Sequence, residues 1–272
     1  MTSHRHRKLV ADIQLLTHDV VDLPARLTNA RRTELEDVVA ELSKSVASLD
    51  PVRQPQAVFD PSDSGLFGVF AAIALLGQDA QPLSNVTIDK IYGSGVYALY
   101  YIGSEQIYSP IRGTETPIYV GKANPPSGAR TPKKQGTKLS KRLMEHRTNI
   151  NRAINLSLDD FHCRRLVIAS GWQIAAEDAL INLFKPIWNK QINILEGFGK
   201  HGDDAETRTN KRSPWDTLHP GRVWAGNSLL EDAKTVATIE SQVAEHFENN
   251  SPFTDAQAII HELIAQVGIQ EM

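Results

Sequence analysis

Tyrosine, arginine, histidine and glutamate, the side chains that serve phosphate chemistry, follow one another between residues 97 and 177 of this 272-residue chain. Tyr97 closes Gly95-Val96-Tyr97, the head of a β-rich run. A phenol, with a reference pKa of about 10, is a poor base alone. An imidazole titrates near neutrality and can assist it, and His146 offers one. Arg142 precedes that histidine by four residues, so a helix carries both on one face, and a guanidinium can grip a phosphate bidentately. Glu177 falls in a helical stretch where Ile174, Leu180, Ile181 and Phe184 all lie within about 60° of it on the wheel, whereas Asp178 falls off that face. A carboxylate on an apolar stripe is costly unless paired, hydrogen-bonded or bound to a metal. A divalent cation would satisfy it, and so would a core arginine such as Arg142 or Arg165. One protein carboxylate plus waters is the habit of Mg²⁺. Activated water, a grip on phosphate and a cation are together what phosphodiester hydrolysis requires.

The elements that must hold these groups can be read from periodicity and breakers. Gly95 to Ile102 and Pro117 to Val120 read as two antiparallel strands joined by an elongated loop. Leu139 to Ile154 reads as a helix, His162 to Ala169 as a third strand, and Trp172 to Lys185 as a helix ended by Pro186. Ahead of them, Leu35, Val38, Val39, Leu42 and Val46 mark one face of a helix with a Thr33/Glu36 capping signature, stopped at Asp50-Pro51. Pro55 to Ser64 reads as a linker, and Gly65 to Gly77 as a compact apolar helix. Gly197 to Gly226 reads as irregular. Two helices follow, Leu229 to Phe247 and one capped by Thr254-x-x-Gln257, with Ile259, Ile260, Leu263 and Ile264 apolar. The expectation is an α+β fold, a small three-stranded antiparallel sheet flanked by helices with helical N- and C-terminal extensions. Its parts are an N-terminal helical extension (1–54), a core (55–226) with a basic insertion (122–138), and an acidic helical hairpin (227–272).

Net charge is −3, yet it is unevenly spread. Residues 85–226 hold 20 Lys/Arg against 13 Asp/Glu, and residues 122–152 hold nine basic residues against Glu145 alone. A local basic stripe is what displaces phosphate counterions, so nucleic acid is the expected partner. Eight acids against Lys234 after residue 226 keep the hairpin off DNA. The one cysteine, Cys163, excludes intrachain disulfides and suits a reducing cytoplasm. The basic start has no apolar stretch behind it, as a secretory signal would. No run approaches the roughly 20 apolar residues that span a bilayer, so no membrane is expected.

The ordered set Gly95-Val96-Tyr97, Tyr119-Val120-Gly121, Arg142-x3-His146, Glu177 and Asn189 resembles the GIY-YIG nuclease superfamily. Tyr101-Ile102-Gly103 spells the second motif literally but lies too close to Tyr97, so its role passes to Tyr119. Within the superfamily the chain is most similar to Eco29kI-like type II restriction endonucleases. That likeness rests on Ser94 to Tyr101, Pro117 to Ala123, the basic insertion, and Ser213-Pro214-Trp215-Asp216-Thr217-Leu218-His219-Pro220-Gly221-Arg222. It runs from about Phe59 to Trp224. The resemblance implies a homodimer that cuts both strands of a palindromic duplex with Mg²⁺, Mn²⁺ being a possible substitute. It implies that Tyr97 and His146 activate water, Tyr119 hydrogen-bonds at the site, Arg142 holds phosphate, Glu177 holds the metal, and Asn189 braces the phosphate or the backbone. Arginine to guanine is the commonest groove contact. Arg130, Lys133, Lys134, Arg208, Arg212 and Arg222 are candidates for groove or phosphate contact, and Lys122, Lys138, Lys141 and Arg147 extend the DNA-facing set. A structure-specific repair nuclease and a non-catalytic DNA-binding module are the alternatives. The lack of an added helix-hairpin-helix or zinc module weighs against the first, and six filled catalytic positions weigh against the second.

Overall fold

The computed structural model describes residues 2–23, 27–49, 52, 64–87, 90–168, 171–198 and 211–267. The chain divides into two compact units, Met1–Gln56 and Ala57–Met272. The first holds helices α1 (Thr2–Val21) and α2 (Asn29–Ala47). Helix α2 starts ahead of the expected Thr33 cap, behind Thr28, so Thr33 lies in its interior. The Asp50-Pro51 stop and residues 55–63 of the linker lie outside the described residues.

The second unit is built on strands β1 (Gln81–Pro82), β2 (Gly95–Tyr101), β3 (Tyr119–Ala123) and β4 (Phe161–Val167). They form one antiparallel sheet in the order β1-β4-β2-β3. The three expected strands are its body, and the two-residue β1 adds an edge beside β4. Every residue of β2 is buried, because helices cover both faces of the sheet. Its side chains alternate between two apolar layers. Tyr97, Leu99 and Tyr101 join Phe161 and Cys163 under helix α5 (Lys138–Arg152). Val96, Ala98 and Tyr100 join Val120 under helices α3 (Ser64–Leu76), α6 (Gln173–Phe184) and α9 (Ala256–Val267). The short α4 (Pro132–Gln135) precedes α5, while α7 (Pro214–Leu218) and α8 (Val236–Asn249) precede α9.

Two glycines are set by close approach. A Cβ on Gly95 would collide with the Leu166 backbone carbonyl of β4, and one on Gly68 in α3 would collide with Ala179 of α6. The C-terminal helices differ in their starts from the sequence expectation. Helix α8 begins at Val236 because the Thr235 side chain accepts from the Thr238 amide. Ahead of α9 it is Asp255, not Thr254, that accepts from the third amide on, Ala258 N, at 2.8 Å. Ile259 and Leu263 are buried in the layer with α3, whereas Ile260 and Ile264 face outward. Among the described residues, no helix is long and apolar enough to cross a membrane.

Candidate active site

The buried stripe of α5 runs Leu139, Leu143, His146, Ile150, spaced four, three and four. The imidazole is therefore carried into the core by the helix's own apolar face. There its Nε2 lies 2.7 Å from the Tyr97 hydroxyl of β2. Burial drives the His146 pKa down to about 3, helped by the positive charges of Arg142 and Arg222. The ring is neutral at ordinary pH and able to accept the phenol's hydrogen. Its Nδ1 is buried without a partner. Burial likewise holds the Tyr97 phenol well above its ordinary value; Tyr119 and Glu177 push it further up, while Arg142 opposes them. The pair is thus a protonated phenol against a neutral imidazole.

Tyr119, at the start of β3, lies 6.3 Å from Tyr97 and 4.9 Å from His146, ring centre to ring centre. Gly121 makes this possible, because a Cβ there would overlap the Tyr97 hydroxyl and crowd the Tyr119 ring. The glycine of the second motif is a seat for both tyrosines. Tyr97 itself is fully buried. Tyr119 is the one that forms the wall of an open cleft of about 480 Å³, shared with Lys122, Arg142, Glu145 and Glu177.

Glu177 reaches the cleft from the opposite layer. It is 7% exposed on α6, beside buried Leu180, Ile181 and Phe184, while Ile174 is exposed. Its ionic partner is Lys122 of β3, rather than Arg142 or Arg165. Lys122, one of the residues expected to face DNA, also lines the cleft. In a strand, residue 122 shares a face with Val120, the α6 side, and this period-two reading was the available signal. Arg142 pairs with Glu145 on its own helix. The α5 groups and Glu177 converge because β3 is the sheet edge, so side chains from both layers meet around it.

Asn189 is 3% exposed and spends its amide on that edge. Its Oδ1 accepts from Val120 N at 2.9 Å and its Nδ2 donates to Val120 O at 2.8 Å. It stands in for the missing neighbour strand, a backbone brace rather than a phosphate contact. The literal decoy motif is structural: Tyr101 is buried and its hydroxyl accepts from Glu105 N at 2.8 Å.

A feature absent from the sequence reading lies behind His146. The Phe198 ring stacks on the imidazole at 4.8 Å and 16°. It is held by Arg222, whose guanidinium donates to Gly197 O at 2.9 Å and Phe198 O at 3.4 Å. Arg222 is 6% exposed. It braces this loop instead of facing a groove, because it is buried against these carbonyls and the Asp216 carboxylate at 3.6 Å, with its plane near Trp215. The Ser213 to Arg222 segment as a whole is scaffold. Trp215 is buried, and the Tyr108 hydroxyl lies 2.6 Å from His219 Nε2. The pKa of His219 is also lowered by burial, to about 3.

The remaining basic candidates divide. Lys138 and Lys141 are exposed and line the cleft. Arg130, Lys133 and Lys134 are exposed around α4, outside it. Arg147 is partly buried, with its Nε unpartnered. Arg212 is paired with Asp232 at 2.7 Å, and Arg208 lies outside the described residues. Among the described residues, no group of three His, Cys, Asp or Glu could hold a metal. Glu177 and Glu145 line the same open cleft, each paired with a basic side chain, Lys122 and Arg142 respectively.

A family model, the Eco29kI GIY-YIG domain, matches residues 89–247. No curated protein matches the chain.

Proposed function

The chain belongs to the Eco29kI GIY-YIG family of nucleases, and from that premise we propose that it is a type II restriction endonuclease cutting duplex DNA at a palindromic site. The observation that carries this reading is the 2.7 Å contact between Tyr97 and His146, beside a cleft that holds Arg142 and Glu177. In the proposed reaction substrate binding opens a path past Tyr119 to the buried Tyr97 phenol, which takes a proton from the attacking water as it passes its own to His146 Nε2. Arg142 grips the scissile phosphate. Its charge is then offset, and one of the forces holding down the His146 pKa is relieved. Substrate binding thereby makes the imidazole a better proton acceptor. Tyr119 hydrogen-bonds to the water or phosphate at the cleft wall. Glu177, with waters and substrate oxygens, would hold Mg²⁺ or Mn²⁺, which supplies neutralisation of the developing phosphoryl charge. Lys122 keeps that carboxylate paired in the free protein. Lys138, Lys141, Lys133, Lys134 and Arg130 extend the basic track along which a duplex would lie. A palindromic target calls for two copies of the chain.

Incubation with plasmids of known sequence, with and without Mg²⁺, tests the proposal. Discrete fragments that need the metal are expected. A smear denotes non-specific cleavage, preference for branched duplexes denotes a repair nuclease, and binding without cutting denotes a DNA-binding module. Glu177→Ala should abolish cutting while duplex binding persists. Undiminished cutting by that variant removes Glu177 as the metal ligand.

A further inference from the structure

Helix α2 buries none of its residues, yet it carries a regular apolar stripe. Leu35, Val39, Leu42, Val46 and Leu49, the last just past the helix end, are spaced four, three, four and three, the repeat of a coiled coil. Their exposure ranges from 37% to 78%. Within this stripe the residue types alternate with the spacing, leucine at the d positions and valine at the a positions, while Arg32 holds the preceding a and Val38 a g. Helix α1 repeats both properties in Leu9, Ile13, Leu16, Val20 and Leu23. A helix packed on a globular core has no need for this alternation. β-Branched residues at a with leucine at d are the arrangement that favours two parallel strands. Charge points the same way. Arg31 occupies a g position and Glu36 the following e, and in a parallel pair g of one helix meets e of the other. Arg31 of each copy would thus face Glu36 of its mate, twice by symmetry, sharing that carboxylate with Arg32, which lies 3.4 Å from it on its own helix.

We infer that α2 is a docking surface for a second copy of this chain, the two α2 helices packing in parallel with Val39 and Val46 at the a layers and Leu35, Leu42 and Leu49 at the d layers. The matching stripe of α1 adds a second contact of the same kind. This rests on the two-copy reading of the proposed function and assigns a surface to it. A zipper this short is weak by itself. Two half-sites on one duplex would hold the copies at high effective concentration and reinforce it.

Light scattering of the full chain, of Leu42→Lys and of Val39→Cys tests the inference, with plasmid cleavage assayed on the same samples. The wild-type chain is expected at twice the chain mass and Leu42→Lys at half that value, with near-UV circular dichroism of the core unchanged. Val39→Cys should link two chains under non-reducing conditions, since equivalent a positions face each other only in a parallel pair. The native Cys163 is buried and does not compete. A Leu42→Lys protein that keeps the doubled mass overturns this surface while leaving the two-copy reading intact. A doubled mass without the Val39→Cys link overturns the parallel arrangement. A wild-type chain of single mass, as when α1 and α2 cover each other, removes both. The cleavage assay reads the nuclease assignment separately from all three.

Discussion

A methyl group on Gly121 would take the space of the Tyr97 hydroxyl. Gly121→Ala therefore has to move that phenol away from His146 while leaving the surrounding apolar layers in place. Misplacement on the order of 1 Å at a reacting group costs about 100-fold. Plasmid-cleavage kinetics should show a kcat loss of that order, with a thermal midpoint within a few degrees of wild type. An unaltered kcat would mean that the phenol position is irrelevant to turnover. The histidines make a second residue-level prediction. His146 and His219 have folded pKa values of about 3, below the reference of about 6.5. Between these limits the unfolded chain takes up protons that the folded chain refuses. The stability from burying neutral rings is thus present above pH 6.5 and lost as pH falls towards 3. Each ring can contribute a slope of up to about 1.4 kcal/mol per pH unit. Urea denaturation at pH 7.0 and 5.5 should show the loss, and His219→Gln should reduce it; an identical slope in that variant counts against the assignment.

At the scale of elements, the site depends on β3 being an edge that is nonetheless satisfied. The Asn189 side chain supplies both hydrogen bonds that a neighbouring strand would have made with Val120. Asn189→Leu would leave a buried N–H and C=O unpaired, at a cost of about 2 kcal/mol or more. For a unit of this size that corresponds to a Tm fall of roughly 4–8 °C. Cleavage should fall as well, because β3 carries Tyr119, Gly121 and Lys122. Calorimetry gives the first reading and kinetics the second, and a Tm equal to wild type would show that water can replace the amide. The helix from Leu139 to Ile154 was legible, with Arg142 and His146 on one face, but the depth of His146 was not read from it. Lys122 was readable by strand alternation once the register was known. Phe198 was not, since its place behind His146 is set by Arg222, bound 25 residues along the chain to Gly197.

For the molecule as a whole, the net charge of −3 conceals the division of labour. Basic side chains gather around α4 and the start of α5, beside the cleft, while the C-terminal helices are acidic. Lys133→Ala with Lys134→Ala should weaken binding to all duplexes alike. The slope of log K against log salt should drop by about 0.9 for each phosphate contact removed. Fluorescence anisotropy at several salt concentrations measures this. An unchanged slope would place the duplex elsewhere, and a loss confined to one sequence would make these lysines base readers.

The sequence alone determined the α+β class, the strands and helices that hold the site, and the residues able to do phosphate chemistry, because each rests on local spacing and side-chain type. It identified Tyr97, Arg142, His146 and Glu177 as a set without saying how they meet. That was decided by strand order. With β3 at the sheet edge, an arginine from the α5 layer and a glutamate from the α6 layer share one cleft. Partner choice was also a tertiary matter. Glu177 took Lys122, and Arg222 took Asp216 together with the carbonyls of the Phe198 loop, because burial makes every charge seek the nearest complementary group in space, and nearness in space is not written in spacing along the chain.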